Sequence, residues 1–379
     1  MRSTFALFAL LFSLAASAQT LHVTIFPPRA VGDDLQGEWL VRISNAGGEI
    51  TDARLSFTAH GAQVVGMAPP LVCAEDGCFL PSIPAAGRLD VRVRLHSNFR
   101  YGQITSVASV TRPGGERVDA VSYHTLWKDY MVTSTADSGP GTLRQAILDI
   151  NAQCAATPCR AAFDIEQKIG GDFFHTVELH SPLPALNVPR SSVDGSTEDQ
   201  SNTLGPSVAL DGAMLHAGNG ITVERGICDV KGIAIGNFPW NGIYASAQAR
   251  VNVDSTYIGV NALGMVPKPN RSRGIASENV SGTITRSLIA YNGRSGIFFT
   301  GPINRGVEII GNRIIENGAS GIYVGGNERM YQFTFIRDNI ITGNAHFGVA
   351  IDPRALVIVQ PNSIHGNGGG GIDIGLDGP

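Results

Sequence analysis

The stretch IIENGASGIYVGG, residues 314–326, sets Asn317 and Gly318 beside the apolar run Ile322, Tyr323, Val324, and the chain does nearly the same thing four times. Asn292, Asn317, Asn344 and Asn367 are each followed four residues later by a glycine (Gly296, Gly321, Gly348, Gly371) and then by Ile297, Ile322, Val349 or Ile372. The asparagines stand 25, 27 and 23 residues apart. A recurrence at this period identifies a stacked repeat, in which each unit buries its apolar side against the next.

Further columns fall into line. Three residues before each asparagine stands Ile289, Ile314, Ile341 or Ile364, and five before stands Ser287, Asn312, Asn339 or Asn362. Three residues before that second column come Ile284, Ile309, Ile336 and Val359, and three past each glycine come Phe299, Val324, Ile351 and Ile374. Apolar positions two apart specify strands rather than helix, so each repeat predicts several short strands joined by sharp bends. Asparagine suits a bend because it tolerates the left-handed backbone region and its amide substitutes for a backbone partner. With coils stacked about 4.8 Å apart, equivalent amides bond up the stack. Asn292, Asn317, Asn344, Asn367, Asn312, Asn339 and Asn362 are therefore expected to be structural ladders.

These columns resemble the right-handed parallel β-helix repeat of pectate-lyase-like proteins, in which stacked asparagines form a ladder. Two more stretches, VTSTADSGPGTLRQAI (132–147) and YIGVNALGMVPKPN (257–270), are similar to segments of large secreted bacterial β-helix proteins. The resemblance covers about residues 130–379. It implies a fold and leaves the reaction open, because one fold hosts many functions.

The composition fits export. Charged residues make up only 16% of the chain and the formal net charge is −4, so no basic excess exists to hold nucleic acid. MRSTFALFALLFSLAASAQT (1–20) places Arg2 before an apolar run and Ala16-Ser17-Ala18, the pattern of a signal peptide cleaved after Ala18. No later run is long and apolar enough to span a bilayer. Five cysteines suit an oxidising destination. Cys73 and Cys78 enclose four residues, as do Cys154 and Cys159, so each pair can close a local loop, leaving Cys228 as a buried small residue. His and Cys do not cluster at ligand spacing, so neither a metal nor a cofactor is expected.

Residues 19–128 read differently. LHVTIF, GEWLVRISN, ARLSFTAH, RLDVRVRLH and ITSVASV are short alternating runs between Gly, Pro and Asn turns, which predicts an antiparallel β-sandwich. Their order, with the C-x4-C and IPAAGR segments, resembles the immunoglobulin-like repeat domains of bacterial surface proteins. Residues 129–155 are expected to form a linker and a helix. Thr142 and Gln145 have capping-box spacing, and Leu143, Ala146, Ile147 and Ile150 share a face. A β-helix exposes core and strand edges at its ends, and this helix is the expected N-terminal cap of a coil running over 156–379. The last strand runs into GLDGP with no comparable cap, which favours truncation at the C-terminus.

Function must then sit on the outside of the stack. The outward residues two past each glycine are Tyr244, Ala276, Phe298, Tyr323, Ala350 and Asp373. Phe298 and Tyr323, with Tyr244 further along, form a candidate stacking platform for a sugar chain, the alternative being a loop packed over them. An enzyme needs converging acids. Glu308, Glu316, Asp338 and Asp352 fall in different columns, and the adjacent pair Asp33-Asp34 lies in the sandwich, where turn chemistry explains it. IDPRA (351–355) resembles the Asp-Pro-His element of β-helix alginate epimerases at Asp352 and Pro353, but Arg354 replaces the histidine. Asp352 is thus a weak catalytic candidate. His346 and His365 stand singly in turns. The expectation is a secreted or cell-surface scaffold binding polysaccharide or matrix, with a polysaccharide lyase or epimerase as the rival. A groove holding two carboxylates and a basic residue would favour the rival.

Overall fold

The computed structural model describes residues 21–28, 34–166, 174–198, 202–278, 281–301, 306–325 and 333–375. The expected signal peptide and Asp33 lie outside them. The chain divides into two units between Leu126 and Trp127.

The first unit holds two antiparallel sheets. One has four strands in the order Leu21–Phe26, Gln36–Asn45, Arg88–Ser97, Ala62–Ala68; the other has five, Cys73–Ala74, Gly77–Phe79, Arg54–His60, Gly102–Thr111, Arg117–Leu126. Alternate side chains of both face inward, with Trp39, Val41 and Ile43 from one sheet and Leu55, Ile104 and Val110 from the other fully buried. This is a β-sandwich. A disulfide joins Cys73 to Cys78.

The second unit is a parallel β-helix of three faces with nine, eight and seven strands. The first face runs from Lys128–Val132 to Val357–Val359, the second from His175–Glu178 to Ser363–His365, the third from Ile221–Val223 to Gly370–Ile374, and every pairing is parallel. The columns read from the sequence are the inward registers. Ile258, Ile289, Ile314, Ile341 and Ile364 stack on the second face. Ile243, Ile275, Ile297, Ile322 and Val349 stack on the third. The strand Lys128–Val132, of which the sequence reading placed Lys128 in the sandwich and the rest in a linker, opens the first face, paired with Cys159–Phe163. Five residues with mixed polarity carry too little pattern to mark a strand.

The helix Leu143–Gln153 buries Leu143, Ala146, Ile147 and Ile150 in the same core as the coil. Its capping box is half formed. Thr142 Oγ1 accepts from Gln145 N at 3.2 Å, but the Gln145 amide turns forward to donate to Asp149 Oδ1 at 2.9 Å. A disulfide joins Cys154, just past the helix, to Cys159, the first residue of the next strand.

Candidate functional site

The asparagines form two ladders. On one, Asn270 Nδ2 donates to Asn292 Oδ1, Asn292 to Asn317, Asn317 to Asn344 and Asn344 to Asn367, at 2.9–3.0 Å. On the other, Asn312 donates to Asn339 and Asn339 to Asn362, with Ser287 N donating to Asn312 Oδ1. Asn270 escaped the sequence reading although Gly274 and Ile275 follow it at the spacing of the other repeats. The left-handed turn residue is not the asparagine, as expected from sequence, but the residue before it: Tyr291, Glu316, Gly343 and Gly366 have φ of 58°, 55°, 69° and 62°. The asparagine stays in ordinary backbone and spends its amide on the stack. The glycine four residues on is required by close approach. A Cβ on Gly321 would lie 2.7 Å from Ile341 Cγ2 and 2.9 Å from Asn344 Nδ2. All of these amides are engaged in bonds within the protein.

On the third face, Thr222, Tyr244, Ala276, Phe298, Tyr323, Ala350 and Asp373 form one outward column. The rings of Phe298 and Tyr323 do not lie side by side as a flat platform. They stack face to face, centroids 4.7 Å apart and planes 14° from parallel, because adjacent rungs place equivalent side chains one above the other. Ala276 leaves room on the next rung, and the Arg273 guanidinium fills it, 3.7 Å from the Phe298 ring centre. Phe298 is therefore covered on both faces, by Tyr323 and by Arg273. Tyr244 stands apart from the stack; burial and then its hydrogen bond to Glu278 push its hydroxyl up to about 12. Burial, and next the charge of Asp352, raise the Tyr323 hydroxyl above its ordinary value. Asp352 itself is held by Arg354, with Nε to Oδ1 and the second guanidinium nitrogen to Oδ2 both at 3.0 Å.

The corner between the second and third faces carries a feature absent from the sequence reading. Ser272 N donates to Trp240 O and Arg294 N to Ser272 O, so these three residues lie along one line of the stack. Arg271 and Arg273 flank Ser272. Trp240 is 53% exposed, and Arg271 and Arg294 are exposed. Six other arginines of the coil, Arg144, Arg160, Arg190, Arg286, Arg337 and Arg354, each pair with an aspartate. Among the described residues Arg271, Arg273 and Arg294 have no carboxylate partner; Arg225 and Arg313 have none either, but they stand apart from this line. Burial and then the nearby Arg294 charge lower Arg273 from the usual guanidinium value. The signal was present as arginines alternating within NRSRG (270–274), but a turn motif does not reveal which arginines lack acids.

A separate cavity of about 440 Å³ opens on the second face, lined by Thr176, Glu178, Ala209, Asp211, Ala234 and Lys268 among others. Glu178 and Asp211 are register partners on adjacent strands. Asp211 accepts from Asn237 Nδ2 at 2.9 Å, from Ala213 N at 2.9 Å and from Lys268 Nζ at 3.3 Å. This groove brings together two carboxylates and a basic residue, none of which the sequence reading singled out. They lie in three segments spread over ninety residues, and only the winding of the coil unites them.

Residues 216–379 match the family model described as the right-handed β-helix region. The distal coil is a right-handed parallel β-helix. No curated protein matches the chain. No helix among the described residues is long and apolar enough to cross a membrane.

Proposed function

We propose that this chain is an exported scaffold whose β-helix binds an acidic polysaccharide along the corner of Trp240, Arg271, Arg273 and Arg294. The observation that carries the reading is the clustering of three arginines without carboxylate partners beside an exposed indole, in a chain whose formal net charge is −4 and in a coil where six other arginines pair with aspartates. A guanidinium grips a uronate or sulfate group in a bidentate fork, and an indole covers the C–H face of a sugar. Phe298 and Tyr323 extend the strip, with Arg273 held on the Phe298 ring. Export is supported by the two disulfides and by the signal-peptide pattern of residues 1–18. The N-terminal β-sandwich, whose sequence resembles immunoglobulin-like repeat domains, serves as the spacer in this reading.

The test is retention of purified protein on pectate, alginate and heparin against neutral dextran. Retention on at least one acidic polymer, falling with salt and lost in the Arg271→Ser/Arg294→Ser variant at unchanged melting temperature, supports the reading. Equal retention by the variant overturns it.

A second reading, turnover of a bound glycan, has one observation in its favour: Glu178, Asp211 and Lys268 share one cavity. Asp352, the acid singled out by sequence, is weaker, since Arg354 occupies both its oxygens. New reducing or unsaturated chain ends, lost in Glu178→Gln, would favour turnover in the cavity. Loss in Asp352→Asn instead would restore the epimerase-like reading.

A further inference from the structure

The cavity on the second face has an architecture of its own. Its floor is the outward column Ala209, Ala234, two small residues against which Phe174 and Tyr257 pack. The wall is the segment 257–270, already singled out as a motif. That segment folds back on itself: Val260 bridges antiparallel to Pro267, Asn261 N donates to Val266 O, and Asn261 Oδ1 accepts from Met265 N and Val266 N, both at 3.0 Å. Lys268 N donates to Gly259 O, closing the loop against the sheet. The loop is therefore a fixed wall, and the space beneath it exists because alanine occupies the two floor positions.

The polar groups lining this space are incompletely used. Lys268 Nζ has one partner, Asp211, and so two further N–H bonds to give. Thr176 and Glu178 make no side-chain hydrogen bond among the described residues, and the Asn261 amide nitrogen likewise has no acceptor. Interleaved with them in the lining are Phe174, Ala209, Ala234, Val260, Ala262 and Val266. Polar groups with hydrogen bonds to spare set among apolar side chains match a pyranose ring, which presents hydroxyls at its rim and C–H bonds on its face. A volume of about 440 Å³ lies within the usual span for small-molecule sites.

We infer that this cavity is a binding site for a single neutral hexose unit, free or at the end of a glycan chain, with Glu178 and Asp211 accepting from its hydroxyls and Lys268 and Asn261 donating to them. The inference does not rest on the acidic-polysaccharide reading, because none of Trp240, Arg271, Arg273 and Arg294 lines the cavity.

The experiment is saturation-transfer NMR and calorimetry on the full chain with D-glucose, D-galactose, D-mannose and N-acetyl-D-glucosamine. At least one is expected to bind. Ala234→Leu, which fills the floor, should abolish that binding, and Glu178→Gln, an exposed change that leaves the volume alone, should weaken it about tenfold, the loss of one good hydrogen bond. Arg271→Ser/Arg294→Ser should leave it unchanged. If none of the four sugars binds, or if Glu178→Gln and a folded Ala234→Leu bind as the parent does, the inference fails. It also fails if binding disappears in the arginine variant, which would place the sugar at the corner. Should Ala234→Leu not fold, Glu178→Gln alone decides.

Discussion

The side-chain amide of Asn317 donates to Oδ1 of Asn344 at 2.9 Å, while its own Oδ1 accepts from both the backbone and the side chain of Asn292 on the preceding coil. One residue thus joins three coils inside the core. Asn317 is 1% exposed.

Replacing Asn317 by Leu removes the acceptor of Asn292 N and the donor that reaches Ile289 O at 3.0 Å. Each buried group left without a partner costs about 1–3 kcal/mol, so the variant is expected to lose at least about 2 kcal/mol. Chemical denaturation followed by circular dichroism measures this. An unchanged midpoint would show that the ladder contributes nothing net.

Glu316 offers the opposite experiment. It holds φ of 55°, where the equivalent positions in the next two coils are Gly343 and Gly366. Left-handed backbone costs a non-glycine residue about 1–2 kcal/mol, partly offset by the greater chain entropy that glycine loses on folding. Glu316→Gly is expected to raise stability by roughly 0.5–1 kcal/mol. A lower unfolding midpoint would mean that the glutamate side chain makes a contact worth more than the strain.

Cysteine chemistry should separate cleanly into two classes. Non-reducing peptide mapping is expected to recover Cys73 joined to Cys78 and Cys154 joined to Cys159. Burial pushes the Cys228 thiol up to about 12, so iodoacetamide should leave it unmodified in native protein at neutral pH and alkylate it once denaturant is added. Rapid native labelling of Cys228 would show that the first face opens there.

Tyr244 gives a pH signature. Its hydroxyl ionises at about 12 in the folded chain against 10.0 for a free tyrosine, burial being the larger cause and the hydrogen bond to Glu278 the next. A raised acid gives stability that is complete below the unfolded value and is lost as pH climbs from 10 to 12. Tyr244→Phe removes this ionisable group, so the variant should lose less stability across that interval than the parent. Identical alkaline profiles for the two chains would contradict the assigned environment of Tyr244.

The sequence by itself determined the coil. Asn317, Gly321 and Ile322 recur with their counterparts at a period that admits one arrangement, since strand alternation fixes which side faces inward and equal coils must stack. It also placed Phe298 above Tyr323 in one outward column, and it marked Leu143, Ala146, Ile147 and Ile150 as the buried face of the helix. These are properties of spacing, and spacing is local.

Tertiary structure alone decided what those columns present. Register put Phe298 and Tyr323 on adjacent rungs, but ring planes follow from packing, and the two rings face each other with Arg273 over the other face of Phe298 instead of lying side by side as a platform. Likewise, which arginines are free depends on which aspartates the winding brings near: Arg354 meets Asp352 two residues away, whereas Arg190 finds Asp229 on the neighbouring coil and Arg271 finds none among the described residues. Glu178, Asp211 and Lys268 converge because parallel coils bring distant segments to adjacent rungs, and Ala209 and Ala234 leave space between them because the loop 257–270 arches over small side chains. Periodicity specifies the scaffold through contacts between equivalent residues. A site is made of contacts between residues that are not equivalent, and those are fixed only when the chain is wound.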